Sequence, residues 1–373
     1  MTRQQTEFMK PNIHPGKSSC NHEIHEKHEM GNTWNQRIIH PAGEKEPLPK
    51  PFCFRVFRVF RGLNSGFKVH LSRRQFLTSA AWAGATLALW PSQSCLNRAA
   101  TRSTWPIGVF SKVYQELKLN FEESAEVTAE AGLDGIDCPV RPGGQILPER
   151  ATGDLPRLAE ALRKRGKKVL LLTTAIQSAS SPHAENILQT ARKLGVKYYR
   201  LGYWRYEAGT PVEAQLNNIK AQLKDLAALN KELGTCGILQ NHAGTNLVGA
   251  KVWDLYEIAK AFDPDQVAIA FDLSHALNEL AQDWTAEFQK LQSHFRVAYI
   301  KDWKRGAGFV PFGQGELGSS GFFQLLKKSA CNAPLSMHTE YDWAGKGREL
   351  TKAKLIKALQ DDLRTLNSWL ETA

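Results

Sequence analysis

The fold class this sequence predicts is α/β, a single (β/α)8 barrel, and three observations predict it. From residue 105 onward, short apolar runs alternate with stretches of helical spacing. Eight such pairs fit within residues 105–370, and several of the runs end abruptly in acids, amides and histidines. Alternation of strand and helix implies a parallel sheet covered by helices. Eight repeats exceed the five or six strands usual for a doubly wound sheet and match a closed barrel, whose site lies where the strands end. The run Val267-Ala268-Ile269-Ala270-Phe271-Asp272-Leu273-Ser274-His275-Ala276 carries the pattern most clearly: a strand apolar on both faces that opens onto Asp-x-x-His.

Taken in order, Pro106 to Val109 is the first strand, and Phe121 to Gly132 is a helix with apolar spacing that stops at a glycine. Gly135 to Val140 is the second strand; its helix starts near Asp154 as a cap and ends at Gly166. Val169 to Thr174 is the third, followed by a helix that opens on Ser181-Pro182 and closes at Gly195. Tyr198 to Tyr203 is the fourth, leading through Trp204 into a long helix that ends at Gly234. Gly237 to His242 is the fifth, with its helix over Trp253 to Phe262. Strand six is the opening run, and its helix spans Asp283 to Phe295. Val297 to Asp302 is the seventh strand, with a helix over Gly321 to Ser329. Leu335 to Glu340 is the eighth, and the last helix runs from Glu349 to Leu370.

Ahead of the barrel lies a leader in two parts. Residues 1–70 hold six of the 11 histidines and read as a disordered or mis-started extension. Residues 71–95 contain Ser72-Arg73-Arg74-Gln75-Phe76-Leu77 and a small, weakly apolar run that is too short for the ~20 residues of a membrane span. This segment resembles a twin-arginine export signal, which implies the twin-arginine machinery as a partner and a periplasmic or extracytoplasmic destination. Lipid anchoring at Cys95 is disfavoured, because Ser92-Gln93-Ser94 makes a poor lipidation motif. The net charge of +11 is concentrated here, with 13 Lys and Arg against 6 Asp and Glu before residue 96. The remainder is nearly balanced and has no basic run interleaved with aromatics, so nucleic acid is excluded as a partner. Cys138, Cys236 and Cys331 lie far apart and read as buried thiols.

No dinucleotide fingerprint and no P-loop occurs, so cofactor chemistry through a phosphate cradle is not expected. The candidate site is instead the set of polar strand exits. These are Gln240, Asn241 and His242 from strand five, Asp272 and His275 from six, Tyr299, Lys301 and Asp302 from seven, and His338 and Glu340 from eight. Three of the five histidines beyond the leader stand there. Glu340 or His275 is the candidate proton carrier, Lys301 an acid or electrostatic stabiliser, and Asp302 its ion-pair partner or a loop anchor. His242, Asn241 and His338 are candidate substrate ligands, and Trp204 and Trp303, with Tyr203, Trp253 and Trp343, offer rings that could stack on a sugar. Gly313-Gln314-Gly315-Glu316 reads as a flexible loop over the mouth.

Asn-His, Phe-Asp-x-x-His, Lys-Asp, Gly-x-Gly and a closing Glu, in that order over residues 105–345, resemble the xylose isomerase-like TIM-barrel superfamily of sugar (phosphate) isomerases and epimerases, inosose dehydratases and abasic-site endonucleases. In its epimerase branch, the resemblance implies one divalent metal held by Glu, Asp, His and Glu from strands five to eight. Here Asp272 and Glu340 match, while Gln240 and Tyr299 stand where Glu and His are implied. Gln offers a carbonyl oxygen but no base, and a neutral phenol is a poor ligand. A divalent ion (Mn, Mg or Zn) on Asp272, Glu340 and Gln240 is the expectation. The leading expectation is an exported, metal-assisted carbohydrate isomerase or epimerase that moves a proton next to a sugar carbonyl. A sugar or inositol dehydratase of the same superfamily and a non-catalytic carbohydrate-binding barrel are the alternatives.

Overall fold

In a computed structural model of the chain, the described residues are 105–280, 284–329, 331 and 333–373. The extension 1–70 and the segment 71–95, with Arg73, Arg74 and Cys95, lie outside them. Eight parallel strands close into a barrel. In chain order these are β1 (Ile107–Phe110), β2 (Gly135–Val140), β3 (Lys168–Thr174), β4 (Tyr198–Arg200), β5 (Cys236–Gln240), β6 (Val267–Asp272), β7 (Phe295–Ile300) and, after a two-stranded hairpin of β8 (Trp303–Lys304) and β9 (Gly308–Phe309), β10 (Leu335–Met337). β1 closes the ring by pairing with β10 on one side and β2 on the other.

The helices are α1 (Lys112–Glu116), α2 (Phe121–Glu130), α3 (Ala151–Lys164), α4 (Ala184–Lys193), α5 (Val212–Leu233), α6 (Val252–Ala259), α7 (Leu273–Leu280), α8 (Trp284–Leu291), α9 (Phe322–Lys328) and α10 (Lys352–Thr372). Their ends follow local chemistry. Asn120 and Glu123 cap α2 reciprocally, each side chain accepting from the other residue's backbone N–H. α5 stops where Gly234 enters the left-handed region at φ 67°, a conformation that glycine adopts without a Cβ penalty. Among the described residues no helix is long and apolar enough to cross a membrane.

Two cores follow from the period-two alternation of the strands. Residues of one parity, such as Ile269, Phe271, Ala298 and Ile300, pack outward against the helices. The Phe271 ring, for example, lies 5.1 Å from Phe288 of α8 and 5.9 Å from Phe322 of α9. Residues of the other parity fill the barrel: Leu171, Tyr198, Ile238, Ala268, Ala270, Val297 and Tyr299. This inward set points its next members at the mouth.

Several expected boundaries shift. Phe295 starts β7 and does not end a helix, because it pairs with Ile269 in the sheet. Asp154 lies in the first turn of α3, bound by Arg150, and does not cap it. α4 begins at Ala184, after His183 takes a left-handed φ of 60°, and not at Pro182. α1, α7 and the β8/β9 hairpin are elements the sequence pattern did not reveal.

Candidate active site

At the mouth the inward parity continues past the strand ends and delivers Gln240 and His242 from β5, Asp272 from β6, Lys301 from β7, and His338 and Glu340 from β10. His275 joins them from the first turn of α7. Lys301 Nζ is the hub: it lies 3.0 Å from Glu340 Oε2, 3.3 Å from Asp272 Oδ2 and 3.0 Å from His275 Nε2. Asp272 and Glu340 thus meet in one pocket, although 68 positions separate them in sequence. Asp272, Lys301, His275 and His338 are all buried, whereas the Glu340 side chain keeps about a quarter of its surface exposed.

Asp272 is held from every side. Ser274 Oγ donates to Oδ1 at 2.6 Å and Gln240 Nε2 donates to Oδ2 at 3.1 Å. Asn241 clamps the Asp272 backbone, its Nδ2 donating to the carbonyl and its Oδ1 accepting from the N–H, both at 2.8 Å. Asn241 has the outward parity of its strand, so it positions Asp272 and does not face substrate, contrary to the expectation from sequence.

Burial alone would raise both carboxyls, but the Lys301 ammonium and the neighbouring hydrogen bonds reverse it. Asp272 is held well below the usual carboxylate range, and Glu340 is drawn down to about 2. Burial would also lower Lys301, yet the two carboxylates hold it protonated well above its ordinary range. Burial drives His275 and His338 down to about 3 and lowers His242 as well, so all three rings are neutral near neutral pH. The centre therefore comprises two carboxylates, one ammonium and neutral imidazoles.

His242 is fixed by Nδ1 against the Ala243 carbonyl at 2.8 Å. That bond makes Nδ1 the protonated nitrogen and leaves Nε2 as the basic one. Its ring lies 3.9 Å from that of His275 and 5.1 Å from that of Tyr203. His338 stacks on Phe110 at 4.6 Å and meets the edge of Tyr299 at 4.9 Å; neither of its ring nitrogens has a hydrogen-bond partner among the described residues.

The aromatic expectations are corrected for the four tryptophans. Trp204 Nε1 donates to Gln222 of α5, Trp343 Nε1 donates to Glu116, Trp253 packs by Tyr256 under Lys290, and Trp303 sits in the hairpin beside Arg305. The rings that reach the centre are Tyr203, whose hydroxyl donates to Gln240 Oε1 at 2.7 Å, and Phe309, whose ring lies 5.3 Å from Lys301 Nζ and 6.0 Å from the His275 ring. Sequence reasoning also missed Arg141 and Arg200. Their signal was the same inward parity on β2 and β4, and they stand over Phe110 and Tyr203 respectively. Asp302 does not pair with Lys301, and the Gly313–Glu316 segment is not a free flap: the Asp302 carboxylate accepts from the backbone N–H groups of Trp303, Gly313, Gly315 and Leu317. A Cβ on Gly315 would collide with that carboxylate and with the Trp303 carbonyl.

The donor set does not fit the expected divalent ion. Lys301 Nζ occupies the space between the two carboxylates and His275. Gln240 turns its amide nitrogen to Asp272 and gives its carbonyl oxygen to Tyr203, so it presents no ligand. Among the described residues no group of three or more His, Cys, Asp or Glu side chains is arranged to hold a metal.

Residues 125–368 match the family model described as xylose isomerase-like TIM barrel. Among curated proteins none matches the sequence. Solved structures with a similar fold include D-psicose 3-epimerase with D-tagatose from Clostridium cellulolyticum H10 (14% identity, TM-score 0.57, 71% of this chain and 99% of that one). A xylose isomerase-like TIM barrel protein from Mycobacterium smegmatis in complex with magnesium is similar at 14% identity (TM-score 0.55, 72% and 99%). A probable 3-DHS dehydratase from Bacillus anthracis is similar at 13% identity (TM-score 0.52, 68% and 97%). At these identities the likeness is one of fold.

Proposed function

This chain belongs to the xylose isomerase-like TIM barrel family, and from that premise we propose that it is a carbohydrate isomerase- or epimerase-type enzyme that moves a proton at the carbon beside a sugar carbonyl. The observation that carries the reading is the placement of two proton acceptors, His242 on the β5 side and Glu340 on the β10 side, about the buried Lys301 ammonium. A keto-sugar whose carbonyl oxygen approaches Lys301 Nζ takes over one of the three N–H bonds now given to Asp272, Glu340 and His275, so the donor is fixed before the reaction begins. Negative charge growing on that oxygen is stabilised with little reorganisation. One of Glu340 Oε and His242 Nε2 takes the C–H proton. An isomerase returns it to the adjacent carbon as the hydroxyl proton moves to the carbonyl oxygen, whereas an epimerase uses the other group, first protonated from solvent, to deliver a proton to the opposite face of the same carbon. His338 and His275 supply polar contacts to ring hydroxyls, and Phe309 covers the centre.

Gln240 cannot serve as the second glutamate of a two-glutamate epimerase, so His242 takes the proton-carrying position on that side. The enolate formed this way can instead expel the hydroxyl on the next carbon as water, which takes from Glu340 or His242 the proton just removed, and this makes a dehydratase the alternative within the same chemistry. Relatives of this fold that are an epimerase acting on sugars and a probable dehydratase support the reading at the level of reaction class. We propose further that the chain is exported through the twin-arginine signal at Arg73-Arg74.

The experiment is deuterium exchange. The full chain is incubated with a panel of keto-sugars and keto-inositols in D2O and followed by NMR. Deuterium is expected at the carbon beside the carbonyl, with the rate about 10²–10⁴-fold lower in Glu340→Gln. A rearranged product marks an isomerase or epimerase, and loss of water marks the dehydratase. If calorimetry shows a sugar bound while no proton exchanges on any member of the panel, the barrel is a binding protein and the proposal falls.

A further inference from the structure

The geometry points to a built-in replacement for the metal: Lys301 Nζ is the permanent cation of this centre, and the site works without a divalent ion. Three facts carry this, none of them dependent on which sugar reacts.

The first is place. Nζ lies at 3.0 to 3.3 Å from one oxygen each of Asp272 and Glu340 and from His275 Nε2, a cradle of two carboxylates and an imidazole closed on a single cation. The second is the fate of the two other positions at which the resemblance implies ligands. Gln240 is turned with its amide nitrogen donating to Asp272 Oδ2, and its oxygen is engaged by Tyr203. Tyr299 sits one layer lower, inside the barrel, against the edge of His338. The third is charge. The set implied by the resemblance holds three carboxylates against a double charge, whereas with Gln240 in place of a Glu only Asp272 and Glu340 remain, and the Lys301 ammonium already lies on both.

A divalent ion entering this cradle would have to displace the ammonium from all three contacts, or sit within a few ångströms of it at a strongly repulsive separation. The ammonium also supplies what a metal would supply to the reaction proposed above: a positive charge at the carbonyl oxygen, here as an N–H donor. It cannot dissociate.

The test reads metal binding directly and needs no turnover, so its failure is distinct from failure of the sugar reading. The purified full chain is dialysed without chelator, its metal content measured, and Co2+ and Mn2+ titrated by calorimetry and visible absorption. Wild type is expected to carry far less than one equivalent of any metal and to show no saturable site. Lys301→Met, which empties the cradle without changing its bulk greatly, is expected to take up one equivalent of Co2+ with visible bands that vanish when Asp272→Asn is added. One equivalent of metal in wild type, lost in Asp272→Asn, overturns the inference. So does a Lys301→Met protein that has the wild-type circular dichroism spectrum yet binds no ion. Should that variant not fold, the wild-type titration decides alone.

Discussion

His338 shows what a single residue contributes when it is buried without a polar partner. The ring is stacked on Phe110, and burial and the nearby Lys301 charge push its protonation down to about 3; His275 is pushed to the same value by burial. In the unfolded chain both rings take a proton near 6.5. The folded protein refuses that proton until far lower pH, so its stability is fully present above 6.5 and is lost as pH falls towards 3. Asp137 and Asp362, raised by burial to about 6, act in the opposite sense below that pH. The wild-type slope is therefore a balance, and a variant isolates one side of it. His338→Phe is expected to keep the circular dichroism spectrum and to lose about 2 kcal/mol less than wild type between pH 7 and pH 5 in urea unfolding. Equal slopes would show that His338 titrates as it does in water.

The same scale shows what was legible in the sequence. Asp272, Lys301 and Glu340 were readable because period-two alternation carries the inward parity just past the strand ends, and His275 because the Asp-x-x-His spacing brings it back beside Asp272 in the first turn of α7. Asn241 failed because it has the other parity. Trp204 and Trp303 lie where the chain has already turned away, one towards α5 and the other into a hairpin with Phe309.

Among elements, the connection between β7 and α9 decides how the mouth is covered, and one carboxylate organises it. Asp302 is buried and faces outward, accepting from four backbone N–H groups as far along as Leu317. The β8/β9 hairpin that brings Phe309 over Lys301 rises from this anchored base. Asp302→Ala leaves buried donors without an acceptor and is expected to cost about 2–4 kcal/mol. The loss should be local first: hydrogen exchange at the Gly313 and Gly315 amides should accelerate before the strands do. Unchanged protection at those two amides would assign the loop's order to something other than Asp302. Long amphipathic helices and apolar strands were readable here because burial imposes their period over many residues. α1, α7 and the hairpin were not, since they follow directly on strand ends, outside the strand-helix alternation, and are set by tertiary contacts. The Gly-x-Gly loop and Asp302 as a loop anchor or ion-pair partner were both offered by the sequence, but that Asp302 would hold N–H groups 11 to 15 positions on follows from no local rule.

The strands of the described residues form a closed ring whose ionic centre draws on β6, α7, β7 and the exit of β10, so Asp272, His275, Lys301 and Glu340 come together only when the far half of the barrel is complete. That closure bears on the export proposal. A twin-arginine signal implies passage as folded cargo, and a barrel that must be complete before its buried charges are paired suits that route, since a threaded, unfolded chain would have to pair them after crossing. Two variants separate the address from the fold. Replacing Arg73 and Arg74 by Lys is expected to leave the full chain inside the cell, while its unfolding in urea matches wild type. Asp302→Ala, with the address intact, leaves four backbone N–H groups without their acceptor and should lower the exported fraction in step with its loss of stability. Fractionation of cells followed by immunoblotting reads both. Export of the double Lys variant at the wild-type level would remove the signal from the account of this protein without touching its active site.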